Sequence, residues 1–201
     1  MASDMNLPKL LAISALAVLI SGCGLLPRTQ PERHAIPTSN HTIQELCDST
    51  RHFFATRAGT ENLKISAGAG GKALTDKIDT GNGCFYETGD PSASPSHLGY
   101  VSLFRIIVSD NPPLSTPASA SENYPTRVIT VDGVTVKVAT EPMPKGGESA
   151  TTLLDVYLTA SIDGWEGELL FKGTEKETVR DDQTTRAAAQ ALVNMIRTLK
   201  G

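Results

Sequence analysis

Three residues carry the most chemistry in this chain of 201: Cys23, Cys47 and Cys84. A cysteine can attack an acyl donor, ligate a metal, take a lipid or form a disulfide, and spacing tells these apart. Neither CxxC nor HxxxH spacing accompanies any of the three, so the pattern calls for no metal and no cofactor. An odd count is also awkward for a plain disulfide framework, which needs pairs.

Other motifs suggest catalysis and fail on a missing partner. Asp79-Thr80-Gly81 has the form of an aspartic-protease carboxylate, but that chemistry needs two carboxylates sharing a proton, and no second Asp-Thr/Ser-Gly occurs. Ser109-Asp110-Asn111 matches the middle motif of penicillin-binding enzymes, yet no serine here has a lysine three residues later. Gly68-Ala69-Gly70-Gly71-Lys72-Ala73 fits a dinucleotide loop on paper, but the stretch from Leu74 to Gly81 is too short for the helix that would meet the pyrophosphate. His52 and His97 have no Gly-x-Ser-x-Gly elbow to serve. Glu166 and Glu168 alternate on the polar side of a hairpin, where solvation is the default reading. A non-catalytic protein is the expectation.

The N-terminus reads as an address. Lys9 precedes an apolar run from Leu10 to Ile20, too short to cross a bilayer as a helix and suited to a secretory signal. Ile20-Ser21-Gly22-Cys23 resembles the lipobox of bacterial lipoproteins: an aliphatic residue, two small residues, then cysteine. The resemblance implies cleavage before Cys23, a diacylglyceryl thioether on its sulfur, and an acylated amine. Residues 1–22 are then signal peptide, and 23–41, with Pro27, Pro31 and Pro37, a lipidated Pro-rich tether. The expected location is the bacterial cell membrane, facing the extracytoplasmic side.

Once Cys23 carries lipid, Cys47 and Cys84 remain as an even pair in an oxidising compartment. A bridge would staple a helix to a strand; two buried free thiols stay open as the alternative, because one sequence shows no geometry.

The elements that position these residues emerge from periodicity. Thr42 and Glu45 form a capping box, and Ile43, Leu46, Cys47, Thr50, Phe53 and Phe54 share a helical face that ends at Gly59. Strands are expected at Leu63–Ala67, Gly83–Thr88 and Leu98–Ser109, the last apolar on both faces and placed in mid-sheet. Asp132-Gly133 and Asp163-Gly164 each sit between apolar alternations, predicting two hairpins with Val131 opposite Val134 and Trp165 in the core. A final helix from about Asp182 to Lys200 buries Ala188, Ala191, Leu192, Met195, Ile196 and Leu199. The fold class is α+β: an antiparallel meander sheet of about five to seven strands, with an N-terminal and a C-terminal helix packed on it, all within one domain over 42–201.

Hydrophobic residues at 39%, charged at 20% and a net charge of −4 describe a globular chain with no broad basic face for nucleic acid. The lipobox, the tether, Cys47 in Glu-Leu-Cys-Asp and Cys84-Phe85-Tyr86 together resemble small actinobacterial envelope lipoproteins of unknown function, with Tyr86 where tryptophan is more usual. The resemblance implies a helix-plus-sheet domain and supplies no activity. The expected role is a binding or accessory module held at the membrane through Cys23, contacting an envelope protein through Asn111–Pro125 and Glu141–Gly147. A carrier with an apolar ligand between sheet and helices is the alternative.

Overall fold

The computed structural model describes residues 39–68, 72–79, 82–90, 92, 96–106, 123–148, 150–180 and 182–200. Helix α1 spans Ile43–Ala58. Its capping box is present on both sides: the Glu45 N–H donates to Thr42 Oγ1, and the Thr42 N–H donates to Glu45 Oε2 at 2.6 Å. The carboxylate that accepts this bond is held below the ordinary glutamate range by it. The six residues of the expected apolar face are all buried. Upstream of the helix, Ser39 is already part of the fold, its N–H on Ile78 O and its hydroxyl on Leu199 O.

Seven strands come next: β1 (Leu63–Ala67), β2 (Asn82–Thr88), β3 (His97–Arg105), β4 (Thr126–Val131), β5 (Val134–Thr140), β6 (Leu153–Ile162) and β7 (Trp165–Thr174). Helix α2 (Gln183–Leu199) closes the chain after a π-helical turn at Lys176–Arg180. All neighbouring strands are antiparallel, in the order β1-β2-β3-β7-β6-β5-β4. The α+β class, the strand number and both helices agree with the sequence reading. The order is not a simple meander: β3 pairs with β7, and β4 stands at the far edge.

Both hairpins have the expected register, Val131 opposite Val134 and Ile162 opposite Trp165. Asp132 and Asp163 take φ of 48° and 50°, as a two-residue turn matched to strand twist requires. Trp165 is 5% exposed. β3 is shorter than the sequence suggests and its faces are unequal. Val101 and Leu103 are fully buried, whereas Ile106 is 42% exposed beyond the strand, its N–H on the Gly164 carbonyl. Ile107 to Ser109 lie outside the described residues.

Both helices lie on the same face of the sheet. The bridge Cys47–Cys84 is formed, with Cα atoms 5.5 Å apart, and it ties α1 to β2 in the centre of the core. Around it, Phe54 stacks on Tyr86 at 4.1 Å between ring centroids, and Phe53 meets Phe54 and Phe171 edge-on. The buried Tyr86 hydroxyl donates to Cys47 O and shares a hydrogen bond with Thr50 Oγ1, so its polar end is satisfied. Burial pushes this phenol far above its ordinary range. Arg57 at the end of α1 reaches Glu177 Oε1 at 2.7 Å and Lys172 O at 2.6 Å, joining helix, π turn and β7. Burial works against the Glu177 charge, but Arg57 and the Thr174 N–H and hydroxyl keep its carboxyl below the usual value.

Where β2 meets β3 the register shifts: Tyr86 faces Gly99 but Glu87 faces His97, leaving Leu98 as the extra residue of a bulge. Gly99 has φ of 153°, and a Cβ there would stand 2.0 Å from Leu170 O and 2.9 Å from Phe54 Cε1. Gly99→Ala therefore strains the backbone, crowds Leu170 O of β7 and pushes Phe54 away from β3. Its expected cost is about 3 kcal/mol or more. Removing the bridge as Cys47→Ala with Cys84→Ala releases a 37-residue loop and costs about 4 kcal/mol in the loop-entropy model. Denaturant melts of the three proteins check both values; an unchanged midpoint for Gly99→Ala contradicts the packing described.

Candidate functional site

The face of the sheet away from the helices carries rows of side chains set by strand register. One row runs Ser66, Phe85, Tyr100, Leu170, Tyr157, Ala139, each directly opposite the next. It begins exposed, with Phe85 at 37%, and ends buried, where Ala139, Tyr157 and Leu170 form a small apolar cluster with Tyr100 and Tyr124 against it. The Tyr124 and Tyr157 rings are 5.9 Å apart, and His97 and Tyr100 both flank Phe85.

The next row is polar: Ser102, Glu168, Thr159, Lys137. Glu168 is drawn into the sheet surface, where burial raises its carboxyl above the ordinary glutamate value. The Tyr100 hydroxyl donates to it, opposing that rise, and the charge of Glu166 adds to it. The Tyr100 phenol is pushed far up, first by burial and then by Glu168. Tyr157 rises to about 12, again chiefly by burial, with Asp155 next. Simple solvation of the acidic pair is therefore corrected for Glu168. Glu168 is half-buried in the assembled sheet, with Tyr100 of β3 beside it, a setting that the alternation of β7 alone does not reveal.

Beside this row the sheet opens. β5 begins at Val134 and β6 continues to Ile162, yet their pairing stops at Val136–Ala160. The two hairpin tips are held separately from below by α2. Gln190 Nε2 and Arg197 bind Asp132, with Arg197 Nη2 on its carbonyl at 2.7 Å, and Lys200 pairs with Asp163. Between the tips lies an open depression of about 550 Å³, floored by Thr159 and Ser161 and walled by Thr135, Lys137, Asp163 and Glu166. The floor is low because β6 carries small side chains there, while β5 and β7 carry long ones. Lys137 and Glu166, of opposite charge, have no ion-pair partner among the described residues. The arrangement offers hydroxyls, the Lys137 cation and the Glu166 carboxylate in a shallow, open site, suited to recognising a polar ligand by hydrogen bonds and charge.

The other sequence-level candidates are placed apart from it. Cys47 and Cys84 are bridged in the core on the opposite side of the sheet. Cys23, with Ile20, Ser21 and Gly22, lies outside the described residues, as do Ser109–Asn111, the loop at 111–122 and Ala69–Gly71. Asp79 is held by Lys72 and by Asn82 Nδ2, beside the buried Ile78, as a structural loop carboxylate. His52 is exposed on α1. Glu141 of the Glu141–Gly147 loop exchanges bonds with Asp155: its N–H donates to Asp155 O, and its Oε2 accepts the Asp155 N–H at 3.0 Å. Among the described residues there is no cluster of His, Cys, Asp and Glu able to hold a metal ion.

Comparison with known proteins gives no match to any family model, curated protein or solved structure.

Because the folded state binds the Glu168 proton more tightly than the unfolded chain, ionising Glu168 weakens the fold. Stability from this group is present at low pH and is lost as pH rises from the ordinary glutamate value through the raised folded one. Glu168→Gln keeps the hydrogen bond from Tyr100 without the charge, so it is expected to melt above wild type at neutral pH. The gap should shrink under mild acid. A gap that does not vary with pH in thermal melts contradicts the raised Glu168 carboxyl.

Proposed function

We propose that the chain is an extracytoplasmic bacterial lipoprotein, anchored in the cell membrane through acylated Cys23, whose domain is a non-catalytic binding module. The observation that carries the compartment is the Cys47–Cys84 bridge. It sits fully buried between α1 and β2, and such structural disulfides persist in oxidising, extracytoplasmic surroundings. The lipobox Ile20-Ser21-Gly22-Cys23 supports the anchor from sequence. Two or three acyl chains on one residue hold a protein stably at a bilayer, where one chain does not. No helix among the described residues is long and apolar enough to cross a membrane; in this reading a lipid on Cys23 supplies the attachment.

The binding role rests on the face opposite the helices. There the aromatic row and the depression between the hairpin tips present Lys137 and Glu166, without an ion-pair partner among the described residues, together with the Thr159 and Ser161 hydroxyls. The sheet–helix layer gives less room to an apolar ligand. At Gly167, a Cβ would stand 2.7 Å from Ile196 Cγ1 and 2.9 Å from Leu192 Cδ1, so α2 already touches the backbone of β7.

Expressed in a bacterial host with lipoprotein processing, the wild-type protein is expected in the membrane fraction. Cys23→Ala should abolish acyl labelling and move most of the domain to the extracytoplasmic soluble fraction or leave it as uncleaved precursor. Wild-type protein that takes up no labelled acyl chain refutes the anchor. For the binding face, Lys137→Ala with Glu166→Ala is expected to reduce capture of envelope components about tenfold, with the melting temperature unchanged. Equal capture removes the depression from the role.

A further inference from the structure

The sheet ends in β1 on one side and β4 on the other, and among the described residues only the β1 edge is guarded. At the β1 edge, Lys64 projects from the outer face and pairs with Glu87 at 2.9 Å, a charged rim of the kind that discourages strand addition. The other edge, β4, reads Thr-Arg-Val-Ile-Thr-Val. Every residue but one is β-branched, and it contains no proline. Its single charge is turned to the helix side, where Arg127 binds Thr178 O at 2.9 Å and Asp182. Val128, on the outer face, is 64% exposed, the largest value among the exposed large hydrophobic residues described.

The register shows which backbone groups face outward. The turn at Asp132-Gly133 makes Val131 and Val134 a hydrogen-bonded pair, and Ile129 with Val136 and Arg127 with Val138 follow at alternate positions. The Thr140 N–H on Pro125 O continues the same phase. Thr126, Val128 and Thr130 therefore point their N–H and C=O groups away from β5, and these groups find no partner among the described residues.

We infer that the β4 edge is a self-association surface, on which a second copy of this chain adds its own β4 antiparallel about a two-fold axis through Val128. Antiparallel pairing requires the outward residues to face one another, and only one centred register uses all three. It sets Val128 opposite its symmetry mate, Thr126 opposite Thr130, and Arg127 opposite Ile129. Each facing pair is β-branched with β-branched, or an already neutralised arginine with isoleucine. No like charges meet, so the edge is complementary to itself in charge as well as in hydrogen bonding. The result is a continuous sheet of twice seven strands, with the helices of both copies on one side. A single strand edge buries less than the roughly 1,000 Å² of a stable interface, so the dimer is weak and concentration-dependent.

Sedimentation equilibrium of the full chain in detergent, over a dilution series, tests this together with amide hydrogen exchange. The expected result is a dimer that grows with concentration, while the amides of Thr126, Val128 and Thr130 gain protection in step and those of Arg127 and Ile129 do not. Val128→Glu places two like charges on the axis and should weaken the dimer about tenfold or more, whereas Val128→Thr should leave it intact. A monomer at every concentration overturns the inference. So does a dimer whose β4 amides exchange as in the monomer, or one that a folded Val128→Glu protein forms equally well.

Discussion

The Cys47–Cys84 bridge is the constraint on which the rest depends. It fastens the middle of α1 to β2, and Tyr86, two residues beyond Cys84, returns its hydroxyl to the carbonyl of Cys47. Helix and strand are thus joined twice within a few residues, once by a covalent bond and once by a buried hydrogen bond. Phe54 then stacks on Tyr86, and Gly99 on β3 leaves space for that ring pair. A chain with only 5% aromatic residues concentrates several of them at this one place, where the covalent link limits how far they can move apart.

With α1 fixed there and α2 laid beside it, the sheet divides its labour. One face is a packed interior, in which Val136, Val138, Val156, Leu158 and Leu169 are fully buried under the helices. The other is a patterned surface whose rows alternate in character: aromatic through Phe85 and Tyr100, then polar through Glu168 and Lys137. Helix α2 also acts at a distance from its own apolar stripe. Its last turns, through Arg197 and Lys200, hold two hairpin tips apart, and the depression between them results from that separation. A staple on the inner face and an open site on the outer face are compatible because β-strand side chains alternate.

Local signals in the sequence were enough for the elements. The Thr42–Glu45 box, Gly59 and the two Asp-Gly turns each specify geometry within four residues, and all appear in the structure as read. Sheet order was not legible, because placing β4 beyond β5 rather than beside β3 depends on a crossover that no local pattern encodes. Leu98 as a bulge was hidden for a related reason: alternation through His97–Leu103 is ambiguous until Gly99 is seen against Leu170 O. The pair Thr174 and Glu177 repeats the spacing of a capping box and could have announced the turn after β7. Glu168 was visible as one of an alternating acidic pair. Its partial burial was not, since that arises only once β3, with Tyr100, lies beside β7. Of the anchor, only the sequence speaks: Cys23 stands outside the described residues.

The proposed acylation of Cys23 and the bridge between Cys47 and Cys84 are tested together by intact mass of the protein recovered from a bacterial envelope, before and after reduction. The predicted result is a chain beginning at Cys23 that carries acyl chains and gains two hydrogens on reduction. A mass that matches the unprocessed, unacylated chain from Met1, unchanged by reductant, would contradict it.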